Sequence, residues 1–463
     1  MTALKIPHTL VLIFSIIVLM GSLTWMVPAG TFERVEKQGR TVVVPGTYQR
    51  TAPQQQNLAD MLAAPIRGFV EAANIIAFIF IAGGAFGVVT TTGVINSAIA
   101  ATARALERSP ALRLATIPLM TTLFSLAGAT FGMSEEVLVF VLIFIPFALA
   151  LGYDSIVGVA IPFVGAGAGF AAAFLNPFTV GIAQGIAELP LFSGLPFRLL
   201  VWAVITLLTI IFIMRYAGKV KCDPRASPVY ELDRQRRQEQ AGATPAPLGP
   251  RQKLVLAVFV LALLGLIVGT LEFNWYITEI GALFIAMGML SGLVAGMSLN
   301  QTAEAFIAGA KDMMTAALVV AFSRGILVIA TDGKIIDTIL NALAGLTAQS
   351  HPVISGYLML FVQACINFFV PSGSGQAALT MPIMTPLSDL LGLTRQTTVL
   401  IFQFGDGFNN LIIPTSGVTM GVLGIAKIPF EKWVRWILPL EALFFAAALV
   451  FITLAVVRQW GPH

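Results

Sequence analysis

The chain has 463 residues, 57% of them apolar and 11% charged, with a formal net charge of +4. An ordinary soluble domain carries roughly 25% charged residues, so the composition excludes one and predicts an all-α polytopic membrane protein built from apolar runs of ~20 residues. The alternating ~10-residue strands of a membrane β-barrel are absent, and the basic residues collect in loops, which argues against a nucleic-acid surface.

In chain order, apolar segments are expected at 8–28, 73–95, 112–131, 135–152, 155–187, 197–216, 254–271, 277–297, 313–331, 352–370, 375–391, 396–426 and 434–457. The first lacks a small-residue cleavage site and reads as a retained span. Residues 57–72 and 333–348 read as amphipathic or interfacial helices, and 31–56 as an outer loop. The polar stretch Arg215–Lys253 carries Lys219, Lys221, Arg225, Arg234, Arg236 and Arg237, and reads as a mobile cytoplasmic linker. Counting outward from it puts the N-terminus, Arg104, Arg108, Arg113, Lys427, Lys432 and Arg435 inside and the C-terminus outside. The domain reading is a first membrane repeat at 1–216, a cytoplasmic linker at 217–253 and a second membrane repeat at 254–463. Three scattered histidines (His8, His351, His463) and two distant cysteines (Cys222, Cys365) give no metal site, His-based centre or disulfide framework.

An internal repeat runs through the chain at a constant, ungapped spacing. Pro146, Leu151, Gly152, Gly165 and Gly167 each find an identical residue 240 positions on, at Pro386, Leu391, Gly392, Gly405 and Gly407. The same spacing joins Ser134 to Ser374 and Thr179 to Thr419. On the charge-derived map, segment 112–131 heads outward and its mate 352–370 heads inward, so the two repeats have inverted topology. Transporters built this way bind substrate near the midplane, where helices are interrupted.

Each half has two interruptions. "SLAGATFGMSEE" (Ser125–Glu136) and "NFFVPSGSGQ" (Asn367–Gln376) each join two apolar arms. The arms are either full spans or re-entrant hairpins, and the breaking residues at the second tip favour the hairpin. "VGAGAGFAAAFLNPFTVG" (Val164–Gly181) and "FGDGFNNLIIPTSG" (Phe404–Gly417) interrupt long apolar stretches. Non-helical backbone at membrane depth must be satisfied by protein or by a water-filled cavity. Gly405, Gly407 and Pro414 therefore read as breakers. The candidate substrate-binding residues are Ser134, Glu135, Glu136, Asn176, Thr179, Ser372, Ser374, Gln376, Asp406, Asn409, Asn410, Thr415 and Ser416. An Asp in a span is costly and marks function by default. Arg324 either faces the site or snorkels outward. Glu441 reads as a scaffold contact.

The stretch "PSGSGQAALTMPIMTPLSDLLGLTRQTTVLIFQFGDGFNNLIIPTSG" resembles the YfcC branch of the four-carbon-dicarboxylate anaerobic carrier family, within the ion transporter superfamily. The resemblance implies two inverted repeats, two re-entrant hairpins with tips at Gly128–Glu136 and Pro371–Gln376, and interrupted helices at Gly165–Thr179 and Gly405–Ser416. It also implies an elevator-type mechanism, a homodimer and a bacterial inner-membrane location. Related members include arginine/ornithine exchangers.

A secondary transporter, symporter or exchanger, is the leading reading. No GxxxxGK[ST] motif is present to make ATP the driver. A channel needs a continuous polar stripe, whereas polarity here is concentrated at four places. No HExxH, nucleophile elbow or acidic metal cluster supports an intramembrane enzyme. No cofactor is expected beyond a possible coupling H+ or Na+, and the expected partners are a small-molecule substrate and the lipid bilayer. Glu135, Glu136 and Asp406 against a single Arg324 favour a basic amino acid over a dicarboxylate.

Overall fold

A computed structural model describes residues 9–37, 40–95, 97–98, 101–102, 110–241, 249–273, 275–345 and 351–461. Arg104 and Arg108, read as inner-face charges, lie outside the described residues. Among those described, seven helices are long and apolar enough to cross a membrane: Ala73–Thr91, Leu195–Cys222, Pro250–Gly269, Ile277–Ala295, Met314–Asp332, Pro352–Phe369 and Phe430–Val457. Shorter apolar helices include Val137–Ala150, whose 14 residues give a rod of about 21 Å, well short of a ~30 Å hydrocarbon core.

Three elements depart from the sequence reading. The outer loop contains two small antiparallel pairs, Gly30–Thr31 with Gln49–Arg50 and Arg34–Lys37 with Arg40–Val43. Strands of two to four residues are too short to show a period-two pattern. The backbone N–H of Phe32 and the guanidinium of Arg34 both donate to Asp337, each at 2.9 Å, and tie this cap to the second half. The linker is not a free tether over its described part. It forms the helix Tyr230–Ala241, in which Asp233 accepts from the backbone N–H of Ser155 at 2.8 Å and Arg236 donates to the carbonyl of Ala426 at 2.6 Å. Finally, Leu299–Asp312 is an amphipathic helix that the segment list passes over. A capping box from Ser298 and Gln301 starts it.

Helix boundaries recur at the spacing of the sequence repeat. Asp154 caps the helix starting at Ser155, and Thr394, 240 residues later, caps the one starting at Arg395. Asn176 and Ser416, equally spaced, cap the helical stretches that begin at Pro177 and Gly417. Gly152 and Gly392 both adopt left-handed backbone, φ +85° and +70°, which a side chain disfavours.

The halves are packed crosswise. The helix Leu58–Glu71 of the first half lies on Met314–Asp332 of the second, so close that a Cβ on Gly68 would strike the Ala321 carbonyl. Leu299–Asp312 of the second half lies on Ala73–Thr91 of the first in the same manner, with Gly309 against the Gly83 and Gly87 backbone. Close approach through small residues is how apolar helices gain dispersion contact where no hydrophobic difference drives them together.

Two groups of helices result. One contains the helical hairpins Pro110–Phe131/Val137–Ala150 and Pro352–Phe369/Gly373–Leu390, the interrupted helices, and the long helices Leu195–Cys222 and Phe430–Val457. The other is a wall formed by Leu58–Glu71, Ala73–Thr91, Pro250–Phe273, Ile277–Ala295, Leu299–Asp312 and Met314–Asp332. Where the groups meet along Gly417–Ala426, Gly421 faces the Leu138, Ile79 and Val320 side chains and Gly424 faces Ala316, an apolar contact.

Candidate functional site

The first interrupted helix runs Ser155–Val159, takes a π turn at Ala160–Val164, continues as Gly165–Ala171, breaks, and resumes at Pro177. Pro162 lies in the π turn. Lacking an N–H and crowding the preceding turn, proline favours such a widening. The second runs Arg395–Gly407, makes a 3-10 turn at Asn409–Leu411, and resumes at Gly417.

Of the expected breakers, Gly405 and Gly407 need correction, and their mates 240 residues earlier behave alike. Gly165, Gly167, Gly405 and Gly407 are all helical. The breaks fall later, at Ala172–Asn176 and from Phe408 to Ser416, with Pro414 inside the second. The glycines are instead crossing points. A Cβ on Gly407 would run into the Ala171 backbone, and one on Gly167 would lie 2.5 Å from Leu411 Cδ2. These two contacts are mates under the 240-residue spacing. Asp406 therefore sits in the last turn of a helix, not in unwound chain.

The two hairpin turns and the two breaks converge on one cavity of about 760 Å³. Of the sequence candidates, Ser134, Glu135, Glu136, Thr179, Ser372, Ser374, Asn410, Thr415 and Ser416 line it. Asn176, Gln376, Asp406 and Asn409 stand one layer behind. Asn176 is wholly buried, accepts from the Phe178 N–H at 2.9 Å, and abuts Gly132 of the first hairpin turn. Asn409 donates to the Ala364 carbonyl at 2.8 Å.

Asp406 and Gln376 belong to a buried polar network centred on Asn367. The Nδ2 of Asn367 lies 3.1 Å from Asp406 Oδ1, 3.1 Å from Gln376 Oε1 and 3.3 Å from Asn410 Oδ1. Gln376 Nε2 donates onward to the carbonyl and side-chain oxygens of Gln363, both at 2.9 Å, and Gln363 to Thr380 at 3.0 Å. Such a network holds the second hairpin and the second interrupted helix in one arrangement, because a half-satisfied buried network is costly. Among the described residues the other oxygen of Asp406 has no hydrogen-bond partner; it is directed at the hairpin turn, where a Cβ on Gly373 would lie 3.2 Å from it. Thr179 reaches the same glycine from the first half, and its hydroxyl also has no partner among the described residues.

Sequence reasoning left the place of Arg324 open and missed Glu71 and Tyr276. Arg324 lines the cavity, and its Nε lies 3.2 Å from Glu71 Oε2 at the end of the amphipathic helix Leu58–Glu71. Tyr276, in the short connection before Ile277–Ala295, donates its hydroxyl to Glu135 Oε1 at 3.1 Å. Glu136 turns inward and accepts from the Ser134 N–H at 3.0 Å. The described charged groups that line the cavity are thus Glu71, Glu135, Glu136 and Arg324, and the arginine is already paired. Asn367 stands in the quoted hairpin motif, and a buried Asn at its edge was the available signal. Nothing local in sequence brings Glu71 or Tyr276 to the site.

A family model described as DcuC, C4-dicarboxylate anaerobic carrier, matches residues 6–457. A protein of Escherichia coli (strain K12) described as "Putative basic amino acid antiporter YfcC" is 38% identical over 485 aligned residues, covering 96% of this chain and 95% of its own. An uncharacterized protein of Haemophilus influenzae is 28% identical over 482, covering 94% of each. Two solved structures are similar at lower levels. The YdaH transporter of Alcanivorax borkumensis gives a TM-score of 0.43 at 18% identity, covering 98% of this chain and all of that one. MtrF of Neisseria gonorrhoeae gives 0.40 at 17%, covering 98% and 96%.

Proposed function

The chain belongs to the DcuC family and is a multi-pass membrane transporter; we propose that it exchanges basic amino acids such as arginine or ornithine across the bacterial inner membrane. The observation that carries this reading is the cavity's charge. Glu71, Glu135 and Glu136 line it, against Arg324 alone, which Glu71 already engages. A dianion entering would meet uncompensated carboxylates at low dielectric. A basic amino acid places its cationic group on Glu135 and Glu136, and its carboxylate on Arg324 and the hairpin N–H groups. The volume falls within the roughly 300–1,000 Å³ of small-molecule sites. The description of the E. coli relative agrees with this substrate class.

In this reading the halves are inverted repeats and the hairpins are re-entrant. The recurrence of caps and breaks at one spacing supports the first, and the ~21 Å length of Val137–Ala150 the second. The N-terminus and the linker lie in the cytoplasm and the C-terminus outside. Asp406 serves a coupling H+ or Na+, and the hairpin-bearing group moves against the wall in an elevator-type cycle within a homodimer. Reporter fusions after Lys253 and after Trp460 should give opposite signals, and identical signals would remove the inverted topology. A dicarboxylate is the second reading, favoured by Arg324 and by the description of the family model. Uptake of external labelled L-arginine into proteoliposomes loaded with unlabelled L-arginine, competed by ornithine, lysine, succinate and citrate, separates the two. Competition by succinate and not by ornithine would overturn the basic substrate.

A further inference from the structure

Among the described residues, the apolar contact between the two helix groups contrasts with a polar bridge. The buried network around Asn367, the Arg236 and Arg395 contacts and the Trp433 bond to the Leu411 carbonyl all lie inside the hairpin-bearing group. The Arg324–Glu71 pair lies inside the wall. The hydrogen bond from Tyr276 to Glu135 passes between the groups, across the cavity.

Both ends of this bridge are held stiffly. The Tyr276 N–H donates to Glu279 at 3.0 Å, and the preceding Trp275 rests its ring on Gly269 while its own N–H bonds the Gly269 carbonyl. On the other side, Glu135 sits in a turn fixed by the Glu136–Ser134 bond and by the seat of Gly132 against Asn176. A phenol donor and a carboxylate make a charge-assisted hydrogen bond, stronger than a neutral one. The same carboxylate is one of the two that the cationic end of the substrate would engage.

We infer that Tyr276 and Glu135 form a latch that holds the substrate-free hairpin group against the wall and that a bound cation releases by competing for Glu135. This rests on the reading of a cationic substrate carried across the membrane. It assigns Tyr276 a positioning role and makes exchange obligatory: the empty carrier is fastened, and the loaded one is free to move.

The test uses the full chain in proteoliposomes loaded with labelled L-arginine. Wild type should release label only when L-arginine is present outside. Tyr276→Phe keeps the ring and removes the donor. Its efflux into arginine-free medium should rise about tenfold or more, the scale set by a hydrogen bond to a charged group, and the ratio of efflux to exchange should rise with it. An unchanged ratio of efflux to exchange overturns the latch. Glu135→Gln supplies the opposite case, since it still accepts from Tyr276 but offers no charge to the substrate. Exchange should fall at least about tenfold with no gain in free efflux, whereas a merely structural bond predicts the same phenotype for both variants.

If wild type exchanges no L-arginine, the substrate assignment fails, and the latch is read without substrate. Leu175→Cys, on the cavity wall, is then labelled with a membrane-impermeant maleimide from each side. Tyr276→Phe should accelerate labelling from the side that is slow in the otherwise unaltered protein. Equal rates would overturn the proposal.

Discussion

The two interrupted helices share a shape and differ in chemistry. Both start at a cap, break after about four turns, and resume at a second cap placed at the 240-residue spacing. They cross through reciprocal glycine contacts. Yet the first carries Ala166 where the second carries Asp406, and its break is filled by Ala172, Ala173 and Phe174, all buried. The second break is lined by Asn409, Asn410, Thr415 and Ser416. The lesson is that the crossing and the breaks recur at the repeat spacing, while the polar side chains of the interrupted helices are concentrated on one copy. The first copy contributes its neighbouring hairpin, with Glu135 and Glu136.

The sharpest way to break the shared geometry is at a crossing glycine. Gly407→Val drives a branched side chain into the Ala171 backbone, and the loss should reach or exceed the ~1–3 kcal/mol of ordinary overpacking, read as loss of monodisperse protein in detergent. Gly417→Ala is the control, since its nearest neighbour stands 3.6 Å from the added carbon and the protein should remain folded.

Next in size is the chemistry of the second copy. Asp406→Asn should cost ~1.5–3 kcal/mol in substrate or coupling-ion affinity, the range for a charge-assisted bond, with folding retained. Loss of accumulation against a gradient with exchange preserved would assign Asp406 to the coupling ion. Wild-type uptake and pH dependence would reduce it to a structural role. At the mate position, Ala166→Ser should leave affinity unchanged if the chemistry resides on the second copy.

Removing the hub of the network should act on stability first. Asn367→Ala leaves Gln376 and Asp406 without their shared donor, and should lower thermal stability by ~1–3 kcal/mol, the cost of stranding buried polar groups. Failure of Asn367→Ala to lower the melting temperature below that of wild type would remove the network from the account.

The smallest effects compare the two ends of the crossing. Arg236 from the linker helix caps the Ala426 carbonyl, and Arg395 caps the Ala187 carbonyl while pairing with Glu188 and Asp389. Arg395 is a third exposed and its partners more so, so solvent screening holds its worth to ~0–1 kcal/mol. Arg236→Gln, at a site about half as exposed, should lower the melting temperature more than Arg395→Gln. The reverse order would mean that the linker helix contributes nothing to the fold.

Much of this organisation was legible in the chain itself, for identifiable reasons. A ~20-residue apolar period reports spans directly, and Asp, Asn and Pro inside such runs report breaks. That is why nine of the thirteen named candidates line the cavity and the other four stand just behind it. What was not legible depends on long-range placement. Gly405 and Gly407 look like breakers because glycine weakens helices, but their lost side chains serve the crossing. Glu71 and Tyr276 precede helices that read as scaffold, and no local pattern reveals that their ends reach the hairpin turn. The linker's charges suggested solvent, yet Asp233 and Arg236 face helix termini, where opposite charge is favoured.

The crosswise packing of the amphipathic helices has a consequence for biogenesis. Leu58–Glu71 leaves the ribosome long before Met314–Asp332, on which it rests, and Ala73–Thr91 long before its cover Leu299–Asp312. The amino-terminal half therefore enters the bilayer with two small-residue faces bare and its interrupted helix uncrossed. Neither half is a self-sufficient folding unit. Synthesised as separate chains divided within the linker, each should be degraded alone and rescued by co-expression of the other.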